Sequence, residues 1–425
     1  MSLAAATDPP PHSIAPPDPS LMPVAMIARA TALRPRLRGA QAECEAQGRV
    51  SDAVNAELIA AGFYRVIQPR CFGGYEFDVP TFHRVMMEIA RGCSETGWVV
   101  ALTAGHPLLL ASFPPEGQRE LYGADGEFRC PAAFNPPGTA VPVAGGYRVT
   151  ASWPSASGCD LGTHHMGSAL VTTADGKPGT QAIQVVLERA QYRIVDDWHV
   201  MGMQGTGSKR IVAEDAFVPA QRTILAVAPG RGSEPMTRPG VHANPMYLGR
   251  IASFLIAETA AVAVGAARGA LDLYEDLIRQ KRTYQPPYHE RFREGEYQAH
   301  YGRALGLVAT AEAALLRAGE DYMDYARHDA AGDPFSDEKD HRLLLIELHC
   351  IRLATEAVEL IYRTAGTSDA AKSGAMIGRI FRNLAVIGTH PALQLERAAL
   401  NAARLRFGLI APHVGATLRP AGRNS

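Results

Sequence analysis

Apolar residues recur at helical spacing over residues 79–93 and again over 96–111, where the segment contains His106-Pro107. Upstream, Ser51-Asp52 is placed to cap Val54-Asn55-Ala56-Glu57-Leu58-Ile59, and Gly62 supplies the stop. The Cys71-Phe72-Gly73-Gly74-Tyr75 turn separates that helix from the next, so residues 25–127 read as a helical domain. From residue 128 the period shortens. Tyr147-Arg148-Val149-Thr150, Ala169-Leu170-Val171-Thr172-Thr173, Ala182-Ile183-Gln184-Val185-Val186-Leu187 and Arg210-Ile211-Val212-Ala213 are β-type runs split by Gly, Pro and Asp. They predict an antiparallel β domain over 128–225. A Pro- and Gly-rich stretch at 226–244 predicts a linker or lid, and long amphipathic patterns return over 245–425, where four or five helices suggest a bundle. Residues 1–24, rich in Pro, Ala and Ser, predict a disordered leader without the basic start and apolar core of a secretion signal. The fold class expected is α+β: helical domain, β domain, helical bundle.

Composition narrows the function classes. In 425 residues Lys+Arg number 42 and Asp+Glu 43, a formal net charge of -1, and no block of like charge gives a footprint for nucleic acid or an anionic membrane. The 251–271 segment is the most apolar, but Glu258 and Arg268 interrupt it, which fits a buried bundle helix better than a membrane span. Six scattered cysteines show neither disulfide-framework nor zinc spacing, and a reducing cytoplasm is the expected compartment. His164-His165 lacks a further ligand at metal spacing and is expected at the surface or pocket rim of the β domain, with no metal.

Three stretches invite a chemical reading. Gly202 and Gly207 have the spacing of a phosphate loop, yet Ser208-Lys209 reverses the order such a loop needs, and a strand rather than a helix follows. A glycine-rich turn between strands fits better. Trp153 to Gly158 reads as a strand ending in a tight turn. Near the C-terminus, no carboxylate occurs between Asn383 and Leu395, but His390 does. No Gly-x-Gly-x-x-Gly follows a strand and opens a helix, so the chain carries no sign of its own reductase.

Trp198-His199-Val200-Met201-Gly202-Met203-Gln204-Gly205-Thr206-Gly207-Ser208, followed by Glu214-Asp215-Ala216-Phe217-Val218-Pro219, resembles the middle-domain signature of the acyl-CoA dehydrogenase superfamily. Arg379-Ile380-Phe381-Arg382-Asn383 with Gly388-Thr389-His390-Pro391 resembles its C-terminal motif, with Pro391 where the dehydrogenases hold their catalytic glutamate. Trp153-Pro154-Ser155-Ala156-Ser157-Gly158 resembles the Trp-x-x-x-Ser-Gly element of the two-component flavin monooxygenases, of the p-hydroxyphenylacetate and steroid-ring phenol hydroxylase type. The likeness runs from about residue 25 to 407.

What the resemblance implies is an oxygenase component that hydroxylates a small aromatic compound with O2 through a flavin C4a-hydroperoxide. Reduced FMN or FAD would come from a separate NAD(P)H-flavin reductase, and the oxygenase would be a homotetramer. By the same resemblance His390, His106 and Ser157 are the catalytic candidates: His390, assisted by His106, to take a substrate proton or hydrogen-bond the peroxide, and Ser157 to hold flavin N5. Trp153, Ser155, Ser157, Gly158, Thr206 and Ser208 are the cofactor contacts of the β domain. Lys281 and Arg282 would reach a neighbouring subunit's flavin phosphate, and Gly366-Thr367 would meet the flavin from the bundle. The position expected to be glycine after the basic pair is Gln285. Trp98, Leu108, Phe113, Phe134 and Trp198 suit an aromatic guest. Two other readings stay open: a dehydrogenase whose base has moved to Glu258, and a non-enzymatic scaffold.

Overall fold

The computed structural model describes residues 13–173, 176–225 and 242–409. Among the described residues five α-helices come first, α1 (Pro23–Gln47), α2 (Asp52–Ala61), α3 (Val79–Gly92), α4 (Ser94–Leu110) and α5 (Pro115–Tyr122). Their ends follow local chemistry. Ser51 Oγ accepts from Val54 N at the start of α2, which Gly62 ends at φ 83°, and Asp78 caps α3 through Thr81 N. Helix α4 is buried along nearly its whole length, so it runs through the interior instead of over it.

The leader departs from expectation between residues 13 and 22. Ile14 N donates to Cys71 O at 3.0 Å in a parallel bridge to Phe72, and Leu21 is buried, because the apolar surface of the first helices needs covering. Residues 1–12 of the expected leader lie outside the described residues, as do 226–241 of the expected linker. At the linker's end His242 packs on Tyr247 and meets Gln118 Oε1 through Nε2 at 2.7 Å.

The middle segment is one seven-stranded sheet, β1 (Ala132–Val143), β2 (Gly146–Ala156), β3 (His164–Thr172), β4 (Pro178–Glu188), β5 (Arg193–Val195), β6 (Lys209–Pro219) and β7 (Thr223–Leu225), in the order β5-β6-β2-β1-β3-β4-β7. The expectation of a purely antiparallel domain needs correcting: β1 and β3 pair in parallel. Three consecutive strands alternate in direction, and the outer edge of β2 is taken by β6, so β3 can join only beyond β1, running the same way.

The C-terminal half is helical: α6 (Ile251–Gln280), α7 (Gly295–Ala330), α8 (Asp337–Ala365), α9 (Thr367–Ala370), α10 (Met376–Ile387) and α11 (Leu395–Arg406). Helix α6 is long and apolar enough to cross a membrane by length and composition, but 78% of its most apolar window is buried inside the protein. Its small residues set that packing. A Cβ on Gly265 would come within 2.4 Å of Met87 O, and one on Gly269 within 2.6 Å of Arg91 O, so α3 and α6 touch backbone to backbone. Helices from both halves of the chain share one core, while the sheet has its own around Trp153, Val149 and Ile211.

Candidate active site

The glycine-rich turn between β5 and β6 is held by three helices. Met203 and Gly207 both adopt left-handed φ, 58° and 54°, which folds the backbone back on itself. Asn383 on α10 accepts from Met203 N at 2.6 Å and donates to Ser94 Oγ at 2.9 Å. Glu95 on α4 accepts from Gly205 N at 2.9 Å. Arg382 donates to Met201 O, and with Arg379 also grips Glu45 on α1, at 2.9 and 2.7 Å. The arginine-led motif is thus a clamp on the turn. Gly202 leaves room for it, since a Cβ there would stand 2.4 Å from Arg382 O.

Glu95 is fully buried, and that burial pushes its carboxyl up to about 7. The Gly205 N–H pulls the other way, Glu45 adds to the rise, and Arg379 and Arg382 oppose it. Its second oxygen has no partner among the described residues. Glu95 was not among the residues the sequence singled out, nor was Asn383 as a side chain with a role. Each bonds a backbone N–H more than 100 residues away, a pairing without a local signature.

On this turn rests a chain of hydroxyls. Trp98 Nε1 donates to Ser157 Oγ at 3.0 Å; Ser157 and Ser208 hydroxyls lie 2.7 Å apart; Ser208 and Thr206 lie 2.6 Å apart; and Thr206 Oγ1 donates to Met203 O at 2.8 Å. Gly158 N, donating to Thr206 O at 2.8 Å, ties the end of β2 to the turn. Gly158 has φ 74°, and a Cβ there would strike Val99 at 2.7 Å. Trp98, Ser157, Thr206 and Ser208 are all buried.

His390 joins this group through an edge-on contact of its ring with Trp98, centroids 6.2 Å apart. Its Nδ1 accepts from Ala392 N at 3.2 Å, capping the turn that begins at Pro391. The ring is still exposed to solvent, yet the surrounding protein holds its pKa below the usual histidine range by desolvation. His106, eight residues after Trp98 on α4, is buried, and its Nδ1 meets Cys130 O. Burial lowers it to about 4, with the Cys130 bond opposing.

Other candidates are placed elsewhere. Trp153 has no exposed surface, and its indole donates to Ser168 O at 3.0 Å, so it is a core residue of the sheet rather than a cofactor contact. Ser155 is exposed at φ 62° in an irregularity of the β2–β6 ladder. Lys281 pairs with Asp369 at 3.3 Å, Arg282 donates to Tyr288 O, and Gly366 and Thr367 are exposed at the start of α9. These four form a second cluster, at the far end of α6 from His106. His165 departs from the surface position expected of it: it is wholly buried between Trp153 and Tyr192, at 5.1 and 5.7 Å, while His164 is half-buried against Phe128. Strand alternation puts the two rings on opposite faces, so they cannot share an ion. Glu258 is fully buried at Gly105, both oxygens without a partner among the described residues, and burial drives its carboxyl well above the usual range.

The chain on the turn is itself uncharged, an indole and three hydroxyls with the backbone amides beside them, next to the apolar surface of Trp98 and Trp198. That suits a flat ring with apolar faces and a hydrogen-bonding edge, which is what a flavin presents. Comparison with known proteins agrees. Residues 257–395 match the family described as acyl-CoA dehydrogenase, C-terminal domain. The oxygenase subunit HsaA of a flavin-dependent monooxygenase from Rhodococcus jostii is 30% identical over 90% of this chain and 98% of its own length. The chain belongs to the flavin-dependent monooxygenase branch of the acyl-CoA dehydrogenase superfamily. The oxygenase component of an FADH(2)-dependent resorcinol hydroxylase from Rhizobium sp. is 30% identical, covering 69% of this chain and 72% of its own. XiaF from Streptomyces sp., solved with FADH2 and glycerol, superposes with a TM-score of 0.83 at 25% identity, covering 92% of this monooxygenase and 97% of XiaF. This monooxygenase is an oxygenase component that uses reduced flavin.

Proposed function

We propose that this monooxygenase hydroxylates a phenolic or heteroaromatic ring beside the Trp98–Ser157–Ser208–Thr206 chain, and that its reduced FMN or FAD comes from a separate NAD(P)H-flavin reductase. The observation that carries this reading is that chain, set against a motif in which Pro391 and His390 stand where a dehydrogenase keeps its carboxylate. A reduced flavin held there by the Ser157 and Ser208 hydroxyls and the turn's backbone would supply the two electrons that, with two protons, let one oxygen atom of O2 enter the ring as hydroxyl and the other leave as water. Trp98 and Trp198 offer apolar area for the flavin or the guest, and burial of the hydroxyl chain keeps bulk water from its edge. The relative named as a resorcinol hydroxylase supports a phenol as substrate.

The two histidines divide the proton work by tautomer. His106 Nδ1 faces a carbonyl and so carries the hydrogen, which leaves a lone pair on Nε2; its low pKa keeps it so at neutral pH. His106 is therefore the acceptor for a phenolic O–H. His390 Nδ1 accepts a backbone N–H, so in the neutral ring Nε2 carries the hydrogen and donates. On this proposal, of the two tasks expected of His390 it keeps the donating one, and the proton-accepting one passes to His106. Lys281, Arg282, Gly366 and Thr367 would serve a flavin shared with a neighbouring copy. A homotetramer assembled through the bundle is proposed with it, by the family likeness alone. The division at 25–127, 128–225 and 245–425 is proposed as the domain plan and the cytoplasm as the compartment, six free cysteines being in keeping with it.

His390→Ala and His106→Asn, the second keeping a donor toward Cys130, test these roles. Both should lower product formed per reduced flavin consumed while leaving flavin affinity within a few-fold of wild type. Parallel loss of binding and hydroxylation, or of neither, would contradict the assignment.

A further inference from the structure

The direction of hydrogen bonding along the hydroxyl chain is fixed at its carbonyl end, and the indole end fills one lone pair. An indole N–H can only donate and a carbonyl can only accept. Thr206 Oγ1 lies 2.8 Å from Met203 O, and two oxygens that close repel unless a hydrogen lies between them, so the Thr206 hydrogen is committed to Met203. Thr206 Oγ1 must then receive the hydrogen of Ser208, 2.6 Å away, and Ser208 must receive that of Ser157, 2.7 Å away. At the other end Trp98 Nε1 fills one lone pair of Ser157 Oγ. Each hydroxyl has one hydrogen, and all three point toward Met203. What Ser157 has left is a single lone pair.

Resting on the flavin reading above, we infer that Thr206 and Ser208 are positioning residues that make the site selective for the redox state of the flavin. The reduced isoalloxazine carries a hydrogen on N5, whereas the oxidised ring has only a lone pair there. An outward lone pair on Ser157 accepts from the first and repels the second. Both ends of the chain are anchored by other contacts: Met203 is held by Asn383 and Trp198, and Ser157 precedes Gly158, which bonds Thr206 O. Reversing the chain would therefore leave the Thr206–Met203 contact without its hydrogen. The selectivity would favour loading from a reductase and release of the flavin once it is oxidised.

Thr206→Val keeps the shape of the side chain and removes the sink, so that Ser208 can turn toward Ser157 and Ser157 can point its hydrogen outward. Ser208→Ala frees the Ser157 hydrogen directly and serves if the first variant folds poorly. Trp98→Phe removes the donor end but leaves the direction set. Binding of oxidised and of anaerobically reduced FMN and FAD is measured for each protein by calorimetry, without substrate or O2. Wild type should prefer the reduced forms, and Trp98→Phe should bind both forms more weakly, since Trp98 belongs to the binding surface, while keeping the ratio. Thr206→Val and Ser208→Ala should lose on the order of tenfold of that preference, mainly by binding oxidised flavin more tightly. An unchanged ratio in both hydroxyl variants, or a wild type that binds both forms equally, overturns the inference and leaves the flavin reading intact. A wild type that binds neither form overturns the flavin reading itself.

Discussion

The hydroxyl chain and the cluster at the end of α6 are built in opposite ways. Around the turn each hydroxyl has its partner within one chain, and helices α1, α4 and α10 brace the backbone through Glu45, Glu95, Arg382 and Asn383. At the other cluster Lys281 is half-exposed on Asp369, Arg282 leans on a loop carbonyl, and Gly366 and Thr367 are open to solvent. Precise direction is available where the hydroxyls are satisfied within one chain, and adaptable charge where they are not. The first suits discrimination among chemical states of a ring, the second a flexible phosphate.

Variants can break that contrast. Asn383→Ala should have the largest effect, because it leaves Met203 N–H buried without its acceptor and Ser94 without its donor; a loss of roughly 2–4 kcal/mol is expected, read as a lower Tm with loss of flavin binding. Ser157→Ala should leave Tm within a few degrees but shift the products: hydrogen peroxide should rise at the expense of hydroxylated product by about tenfold, measured by peroxide and product assays on the same reaction.

Glu95 sharpens the comparison through pH. Its folded pKa, about 7, lies above the ordinary 4.5, so the folded state holds the proton more tightly than the unfolded one. Its stabilising contribution is present below about 4.5 and is lost as pH rises through 7. Tm should therefore fall between pH 5 and pH 8 more steeply in wild type than in Glu95→Gln. Equal slopes would contradict the assigned burial. Lys281→Ala should give the smallest change, a few-fold loss of FMN affinity with none for lumiflavin, which lacks the phosphate, since an exposed cation contributes little.

Much of this architecture was legible in the sequence because its causes are local. Ser51 and Gly62 bound α2 as capping chemistry requires, and the runs at 147, 182 and 210 became β2, β4 and β6. Ser157 and Ser208, 51 positions apart, do meet. What escaped depends on distant partners. The parallel β1–β3 pairing follows from β6 occupying an edge more than 50 residues downstream, and Trp153 looked like a contact because its motif, not its burial, was visible. The tautomers of His106 and His390 turn on Cys130 O and Ala392 N, which spacing alone does not orient.

The most direct test of the account is to mix anaerobic protein carrying reduced flavin with 18O2 and a phenol such as resorcinol, then to weigh the products by mass spectrometry. One 18O atom should appear in the hydroxylated ring and one in water, with little peroxide. Unlabelled substrate and stoichiometric hydrogen peroxide, formed as fast as from free reduced flavin, would contradict it.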